Sequence, residues 1–193
     1  YQRKQPEIEE ATEVQENIKV IAQNLTIPWE VAFLPDGEIL LTERPGNLLL
    51  IKKKQKIPIE GIKPIGEGGL LGIAVHPDFN NNRYVYLYYT YLSNEENTLN
   101  RVARFKFEDG TLANEQVIVD AIPGAVNHNG GRIKFGPDDF LYITTGDAQN
   151  PSLAQDKNSL AGKILRVTDE GKPVPGNPFG SPVYSYGHRN PQG

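Results

Sequence analysis

The apolar residues of this chain occur in short runs that are bounded by Gly, Pro, Asn or Asp. The runs are rich in Val, Ile, Leu, Tyr and Phe and have the length of β-strands, whereas helical periodicity is weak. The best helical candidate is a turn or two at residues 152–160. The pattern therefore predicts an all-β protein, with strands at residues 18–22, 38–42, 48–51, 84–91, 102–107, 116–122, 132–135, 140–144 and 163–167.

An internal repeat refines this prediction. Residues 31–37, 73–79 and 133–139 share an apolar strand that ends in a Pro-Asp turn, with the prolines at positions 35, 77 and 137. A repeating unit of about 40–50 residues with four short strands is the size of a β-propeller blade. The repeat predicts about three blades, and because a propeller closes with roughly four to eight, we expect either further sequence or a partner to complete the ring.

Composition narrows the class of protein. The formal net charge is -4, so no general cationic surface is available for nucleic acid, and no apolar run is long enough to cross a bilayer. Cysteine and methionine are both absent, which excludes disulfides and leads us to expect that processing or trimming precedes Tyr1. The acid-rich residues 1–17 are predicted to be a polar N-terminal extension, with the folded domain at 18–193.

Two polar clusters contain the candidate chemistry. His128 lies in the segment Asn127-His128-Asn129-Gly130-Gly131-Arg132, and Asp147 follows at the end of the next predicted strand pair. We expect the hairpin to return Asp147 to the same end as His128, giving the imidazole–carboxylate pair that a general base needs. The alternative is that both side chains only cap turns.

The second cluster, at residues 186–192, carries the donors Arg189, Asn190 and Gln192, which suit a planar ligand bearing carboxylates. The alternative is a polar loop in which Arg189 makes a local ion pair. A glycine-rich segment at 65–72 lacks the Lys-Ser or Lys-Thr of a phosphate loop and indicates close backbone approach, with Glu67 as a candidate polar group facing the channel.

Five motifs together resemble one known family. They lie at residues 28–37, 42–46, 67–74, 127–132 and 187–193, and they occur in the family's order. The chain resembles the soluble pyrroloquinoline quinone (PQQ)-dependent aldose dehydrogenases, the glucose/sorbosone dehydrogenase family. The resemblance implies a six-bladed β-propeller, of which this chain would supply about the first three blades, the N-terminal half of the catalytic domain.

The resemblance also implies site roles. His128 matches the base that removes the proton from the C1 hydroxyl of an aldose while the C1 hydride passes to PQQ, giving a lactone. Asp147 matches its carboxylate partner, and Arg189 the cation that stabilises charge at the quinone oxygen. Further positions match cofactor contacts (Arg189, Asn190, Leu153 and Gln192) and substrate contacts (Glu67 and Asn127), although Glu67 stands where some members carry glutamine.

Other expectations follow from the same resemblance. Calcium should hold the cofactor through ligands downstream of this chain, so no metal ligand is assigned here. Aldose sugars, an unidentified electron acceptor and a periplasmic or other extracytoplasmic location are implied, and a homodimer is left open. Two alternatives stand beside the dehydrogenase: a binding propeller without catalysis, and a calcium-dependent propeller hydrolase.

Overall fold

Antiparallel β-strands are the main regular structure of the described residues. A computed structural model describes residues 19–93 and 97–193. Its strands are β1 (Pro28–Phe33), β2 (Ile39–Glu43), β3 (Asn47–Leu50), β4 (Gln55–Pro58), β5 (Leu70–Val75), β6 (Tyr84–Ser93), β7 (Asn97–Glu108), β8 (Thr111–Pro123), β9 (Gly130–Phe135), β10 (Leu141–Thr145), β11 (Lys163–Val167) and β12 (Val183–Tyr186). Two short helices accompany them, α1 (Phe79–Asn82) and α2 (Pro151–Gln155). The prediction of an all-β protein is confirmed.

The strands form three sheets of four, each from strands consecutive in the sequence. The first sheet is β1–β4, the second β5–β8 and the third β9–β12, and neighbouring strands in each are antiparallel. The repeated Pro-Asp dipeptides fall between the first and second strands of every sheet, and in two of these turns an aspartate oxygen accepts the backbone N–H two residues on. The repeat therefore marks the first hairpin of each sheet.

The second sheet is buried on both faces. Leu70 and Ile73 of β5 pack in a core shared with the first sheet, which includes Leu40 and Leu48. Leu71 of the same strand points to the opposite face and packs with residues of the third sheet such as Ile143. Because successive strand side chains alternate between faces, one apolar strand can join two cores.

The first strands of the three sheets meet beside one another. The carboxylate of Glu30 in β1 accepts a hydrogen bond from Ile73 N in β5 at 3.0 Å and pairs with Arg132 Nη1 of β9 at 2.6 Å. Glycine is required at this junction, because a Cβ on Gly72 would lie 2.1 Å from Gly131 O. The Glu30–Arg132 pair thus links all three sheets.

Some local predictions were wrong. Residues 19–22 of the strand predicted at 18–22 are not in a strand, and Val20 and Ile21 are largely exposed. The helix predicted at 152–160 stops at Gln155, since Asp156 caps a following turn by accepting Asn158 N. The extension at 1–17 and residue 18 lie outside the described residues. No helix in the described part of the chain has the length and apolar character needed to cross a membrane.

Candidate active site

Residues of the two polar clusters come together at one end of the three sheets, in the loops next to the first strands. Glu67 lies in the β4–β5 connection, His128 in the β8–β9 connection and Asp147 between β10 and α2. Asn190 follows β12. A site built from four connections is what loops on a rigid sheet scaffold commonly provide.

The centre of the site is an imidazole–carboxylate pair. His128 Nδ1 lies 2.8 Å from Asp147 Oδ1, and the Asp147 residue is only 2% exposed. The same oxygen accepts the backbone N–H of Gln149 at 2.9 Å. Because an ionised carboxylate only accepts hydrogen bonds, the proton of a neutral imidazole belongs on Nδ1 and Nε2 is the basic nitrogen.

The His128 backbone is held in an unusual conformation. Its φ is 64°, in the left-handed region that non-glycine residues rarely occupy. Its N–H donates to Glu67 Oε2 at 2.9 Å and its carbonyl accepts Ala148 N at 3.2 Å. A Cβ on Gly146 would lie 1.8 Å from His128 O, so only glycine leaves room for this loop.

The second cluster reaches the first through Asn190 and Arg189. Asn190 Nδ2 donates to Glu67 Oε2 at 3.1 Å, while Asn190 Oδ1 accepts Gly130 N at 3.0 Å. The backbone carbonyl of Arg189 accepts Asp147 N at 2.8 Å. The loop after β12 is therefore fixed against the residues that position the base.

The Arg189 side chain is exposed and its guanidinium has no hydrogen-bond or ion-pair partner among residues 19–93 and 97–193. The local ion pair considered as an alternative is absent from this part of the chain. The Arg189 backbone contacts Asp147, and a guanidinium without a partner in the described residues can bind an anionic, planar group through its fork of N–H donors.

The remaining candidates are less directly connected. The Asn127 backbone N–H donates to Gln149 Oε1 at 3.1 Å. The backbone carbonyl of Gln192 accepts a hydrogen bond from Arg132 Nε at 2.9 Å. Leu153 is half-buried in α2, and its carbonyl accepts Lys163 Nζ at 2.8 Å. The structure shows no hydrogen bond from Leu153 or Gln192 to His128 within the described residues.

Sequence reasoning missed Gln149. Its φ is 60°, in the left-handed region. In this conformation Gln149 contacts two loops: its backbone N–H donates to Asp147 Oδ1, and its side-chain carbonyl accepts Asn127 N. The only available signal was its position two residues after Asp147, where a backbone N–H commonly meets an aspartate side chain. Gln149 therefore fastens the Asp147 loop to the His128 loop.

A metal site is not formed by the residues that the structure describes. In them, no three His, Cys, Asp or Glu side chains converge so that they could hold an ion. The Asp147 carboxylate is hydrogen-bonded to His128 and Gln149. The Glu67 carboxylate is hydrogen-bonded to His128 and Asn190. The acidic groups of the site therefore act as hydrogen-bond acceptors for the protein's own donors.

Comparison with known proteins gives one family. Residues 25–193 match the model of the family described as "Glucose / Sorbosone dehydrogenase". An aldose sugar dehydrogenase of Escherichia coli is 32% identical over 92% of this chain and 52% of its own length. The PQQ-bound aldose sugar dehydrogenase of Streptomyces coelicolor superposes with a TM-score of 0.81 at 43% identity, over 90% of this chain and 54% of that chain.

A third similar structure comes from Thermus thermophilus, an oxidoreductase described as a glucose dehydrogenase. It is 44% identical with a TM-score of 0.85, over 91% of this chain and 56% of that chain. In each comparison nearly the whole of this chain is matched, while it spans about half the length of the relative.

Proposed function

The chain belongs to the glucose/sorbosone dehydrogenase family, and from that premise we propose that it forms part of a PQQ-dependent dehydrogenase that oxidises aldose sugars at C1 to lactones. The observation that carries the proposal is the His128–Asp147 pair, 2.8 Å apart, in contact with the backbone of Arg189, whose side chain has no partner among the described residues. The whole enzyme would be a six-bladed propeller, to which the three sheets of this chain contribute three blades.

The donors at the site suit PQQ, which is planar and carries several carboxylates. Arg189 and Asn190 would hold it through charge-assisted and neutral hydrogen bonds, with Leu153 packing near the ring and Gln192 as a further contact. When bound, PQQ supplies a two-electron acceptor for the hydride of the sugar. The Arg189 guanidinium is the group available to stabilise negative charge at the quinone oxygen.

The protein's own residues would supply the proton chemistry. His128 Nε2 accepts the proton of the C1 hydroxyl, and the Asp147 carboxylate stabilises the imidazolium that results. Asp147 is nearly inaccessible to water, which strengthens its interaction with the charged ring. Glu67 and Asn127 are the candidates for orienting the sugar from the neighbouring loops.

Further parts of the proposal lie beyond the described residues. Calcium would assist cofactor binding through ligands in the portion of the family's length that this chain does not span. Reduced cofactor would be reoxidised by an electron acceptor of unidentified class. We place the enzyme outside the cytoplasm, which fractionation of the native host would test.

The test uses the whole purified enzyme that contains this chain, mixed with PQQ and calcium. Reduction of an artificial electron-acceptor dye is followed after adding glucose and other aldoses. We expect turnover only when protein, PQQ and sugar are all present. We expect His128→Ala to abolish sugar-dependent dye reduction while PQQ still binds, because the base is lost and the cofactor contacts are retained.

The matched control is His76→Asn, since His76 lies in the β5–β6 turn away from the site. That variant should keep its activity. Retained turnover in His128→Ala would contradict the proposed mechanism, and PQQ binding without turnover in the unaltered protein would favour the non-catalytic binding propeller.

A further inference from the structure

One carboxylate oxygen connects the candidate base to a candidate cofactor contact. Glu67 Oε2 accepts the backbone N–H of His128 at 2.9 Å and the side-chain amide of Asn190 at 3.1 Å. These partners lie 61 and 123 residues from Glu67 in the sequence and belong to different loops. A single carboxylate oxygen therefore contacts both groups.

The backbone of Glu67 is also fixed. Its backbone N–H donates to Val126 O at 2.7 Å, and a Cβ on the preceding Gly66 would lie 2.0 Å from that carbonyl. The segment that carries Glu67 thus lies directly against the loop that leads to His128. The backbone that carries the carboxylate is therefore held close to both of its hydrogen-bond donors.

The amide of Asn190 has a fixed orientation. Its Nδ2 donates to Glu67 while its Oδ1 accepts Gly130 N at 3.0 Å, so both ends are used. Any ligand that shifts Asn190 must alter its bond with Glu67. Glu67 Oε2 also accepts the N–H of His128. The left-handed backbone conformation of His128 is unfavourable by itself and depends on such contacts.

We propose that Glu67 is a positioning residue that couples Asn190 to the placement of the His128 base, so that contact with the cofactor and the geometry of the base change together. The inference rests on the proposed function for the role of each partner. The hydrogen-bond link itself is a property of the protein alone. Charge-assisted hydrogen bonds of this kind are stronger than neutral ones.

The test observes His128 directly and requires no turnover. The sequence contains three histidines, so protein labelled with 15N-histidine gives three backbone amide signals. We expect Glu67→Ala to speed hydrogen exchange at His128 N–H by about tenfold or more, which corresponds to about 1.4 kcal/mol. Glu67→Gln, which keeps an acceptor oxygen, should stay within about threefold of the original rate.

His76 is the internal reference. Its N–H donates to Tyr84 O in the β5–β6 turn, so its exchange should not change unless the fold itself is lost. Glu67→Asp shortens the side chain by one methylene and should give an intermediate increase at His128. It serves as the second variant if Glu67→Ala does not fold.

Coupling is measured with Asn190→Ala. In the original protein this substitution, or the addition of PQQ, should shift the His128 amide signal. In the Glu67→Ala background the shift caused by Asn190→Ala should be smaller. An unchanged His128 amide in Glu67→Ala, or an equal response to Asn190→Ala in both backgrounds, would overturn the inference.

Activity separates this inference from the proposed function. Since Glu67→Ala removes the link and Glu67→Gln keeps an acceptor, kcat for aldose oxidation should fall about tenfold or more in Glu67→Ala and little in Glu67→Gln. KM should be less affected than kcat. Absence of any aldose oxidation in the original protein, with the amide responses as expected, would count against the proposed function and leave the Glu67 link supported.

Discussion

His128 adopts a backbone conformation that is unfavourable for a residue with a Cβ, at a cost of about 1 kcal/mol or more. The structure offsets this cost locally, because Glu67 accepts its N–H, Ala148 donates to its carbonyl and Gly146 leaves space for that carbonyl. Together these contacts hold the backbone of the residue whose imidazole meets Asp147. The strained residue is also the proposed base, as expected where strain serves function.

Asp147→Asn tests the role of the carboxylate charge. The amide keeps an oxygen that can accept from His128 and Gln149 but lacks the charge that stabilises the imidazolium. We expect kcat for aldose oxidation to fall by about 10²–10⁴-fold, with PQQ affinity little changed. Asp36→Asn, the same change in an exposed turn far from the site, is the control, and an equal loss in both variants would contradict this role.

His76 gives the protein a pH-dependent stability. Burial lowers the pKa of His76, an effect that Asp169 and Asp78 oppose. Its Nδ1 accepts Asp78 N at 2.9 Å and lies 2.8 Å from Asn82 Nδ2, so this nitrogen is unprotonated in the fold. Since the unfolded chain binds the proton more readily, this stability is complete above about pH 6.5 and is lost as the pH falls below that value.

His76→Asn should remove that dependence, because the Asn oxygen can replace the Nδ1 acceptor and does not titrate. Urea denaturation at pH 8 and pH 5 measures the effect. We expect the original protein to lose more stability than the variant between the two values. Equal losses would show that other groups account for the pH response.

At the scale of elements, the predicted strands that proved correct are those with their own apolar character. The run predicted at residues 163–167 is β11, and that at 84–91 lies within β6. The short β4 (Gln55–Pro58) and β12 (Val183–Tyr186) were not predicted, because each has little apolar character and depends on pairing with β3 or β11. Residues 20 and 21 were wrongly predicted to lie in a strand, because their side chains are apolar but no other strand among the described residues pairs with them.

The candidate active site could also be predicted only in part from the sequence. The approach of His128 to Asp147 could be expected because both flank one hairpin, β9–β10. The contact between Glu67 and Asn190 could not be predicted from spacing, since it depends on how the three sheets pack. Gln149 was missed because its role comes from a left-handed turn that the residue type does not specify.

Helix α2 is held by a buried ammonium group. Lys163 of β11 is fully buried, and its Nζ donates to Leu153 O at 2.8 Å, Ala154 O at 3.0 Å and Ala161 O at 2.5 Å. Burial lowers the pKa of Lys163, and Asp156 opposes the shift. Leu153 and Ala154 belong to α2, so two of the three carbonyls place the ammonium at the C-terminal end of this helix, where cations are favourable.

Lys163→Met should lower the free energy of unfolding by about 3 kcal/mol, because the buried carbonyls lose their donor. Urea denaturation measures this change. Lys53→Met, at an exposed position between β3 and β4, is the control and should alter stability by less than about 0.5 kcal/mol. A loss in Lys163→Met no larger than the control would contradict the structural role of the ammonium.

At the scale of the molecule, the Glu30–Arg132 pair unites the three sheets. Burial raises the pKa of Glu30, while the hydrogen bond with Arg132 opposes that shift. The guanidinium lies 4.4 Å from the centre of the Trp29 ring and also binds Gln192 O. One arginine therefore connects the sheet junction to the loop that carries Arg189 and Asn190.

Arg132→Met should lower the free energy of unfolding by about 3 kcal/mol, because it leaves the Glu30 carboxylate buried without its cation. Adding Glu30→Gln should restore part of that loss, since the neutral amide needs no counter-charge. Lys134→Met, an exposed position on the same strand, is the control. A double variant less stable than Arg132→Met alone would show that the charge pair is not what stabilises the junction.

The arrangement of strands also predicts an order of folding events. Each sheet is made from strands adjacent in the sequence, so it can form by closing short loops. The Glu67–Asn190 contact instead joins residues that are 123 positions apart. Contacts across such separations form late, after the entropy of closing the chain has been overcome. Changes at the site should therefore act mainly on the rate of unfolding and leave the rate of folding nearly untouched.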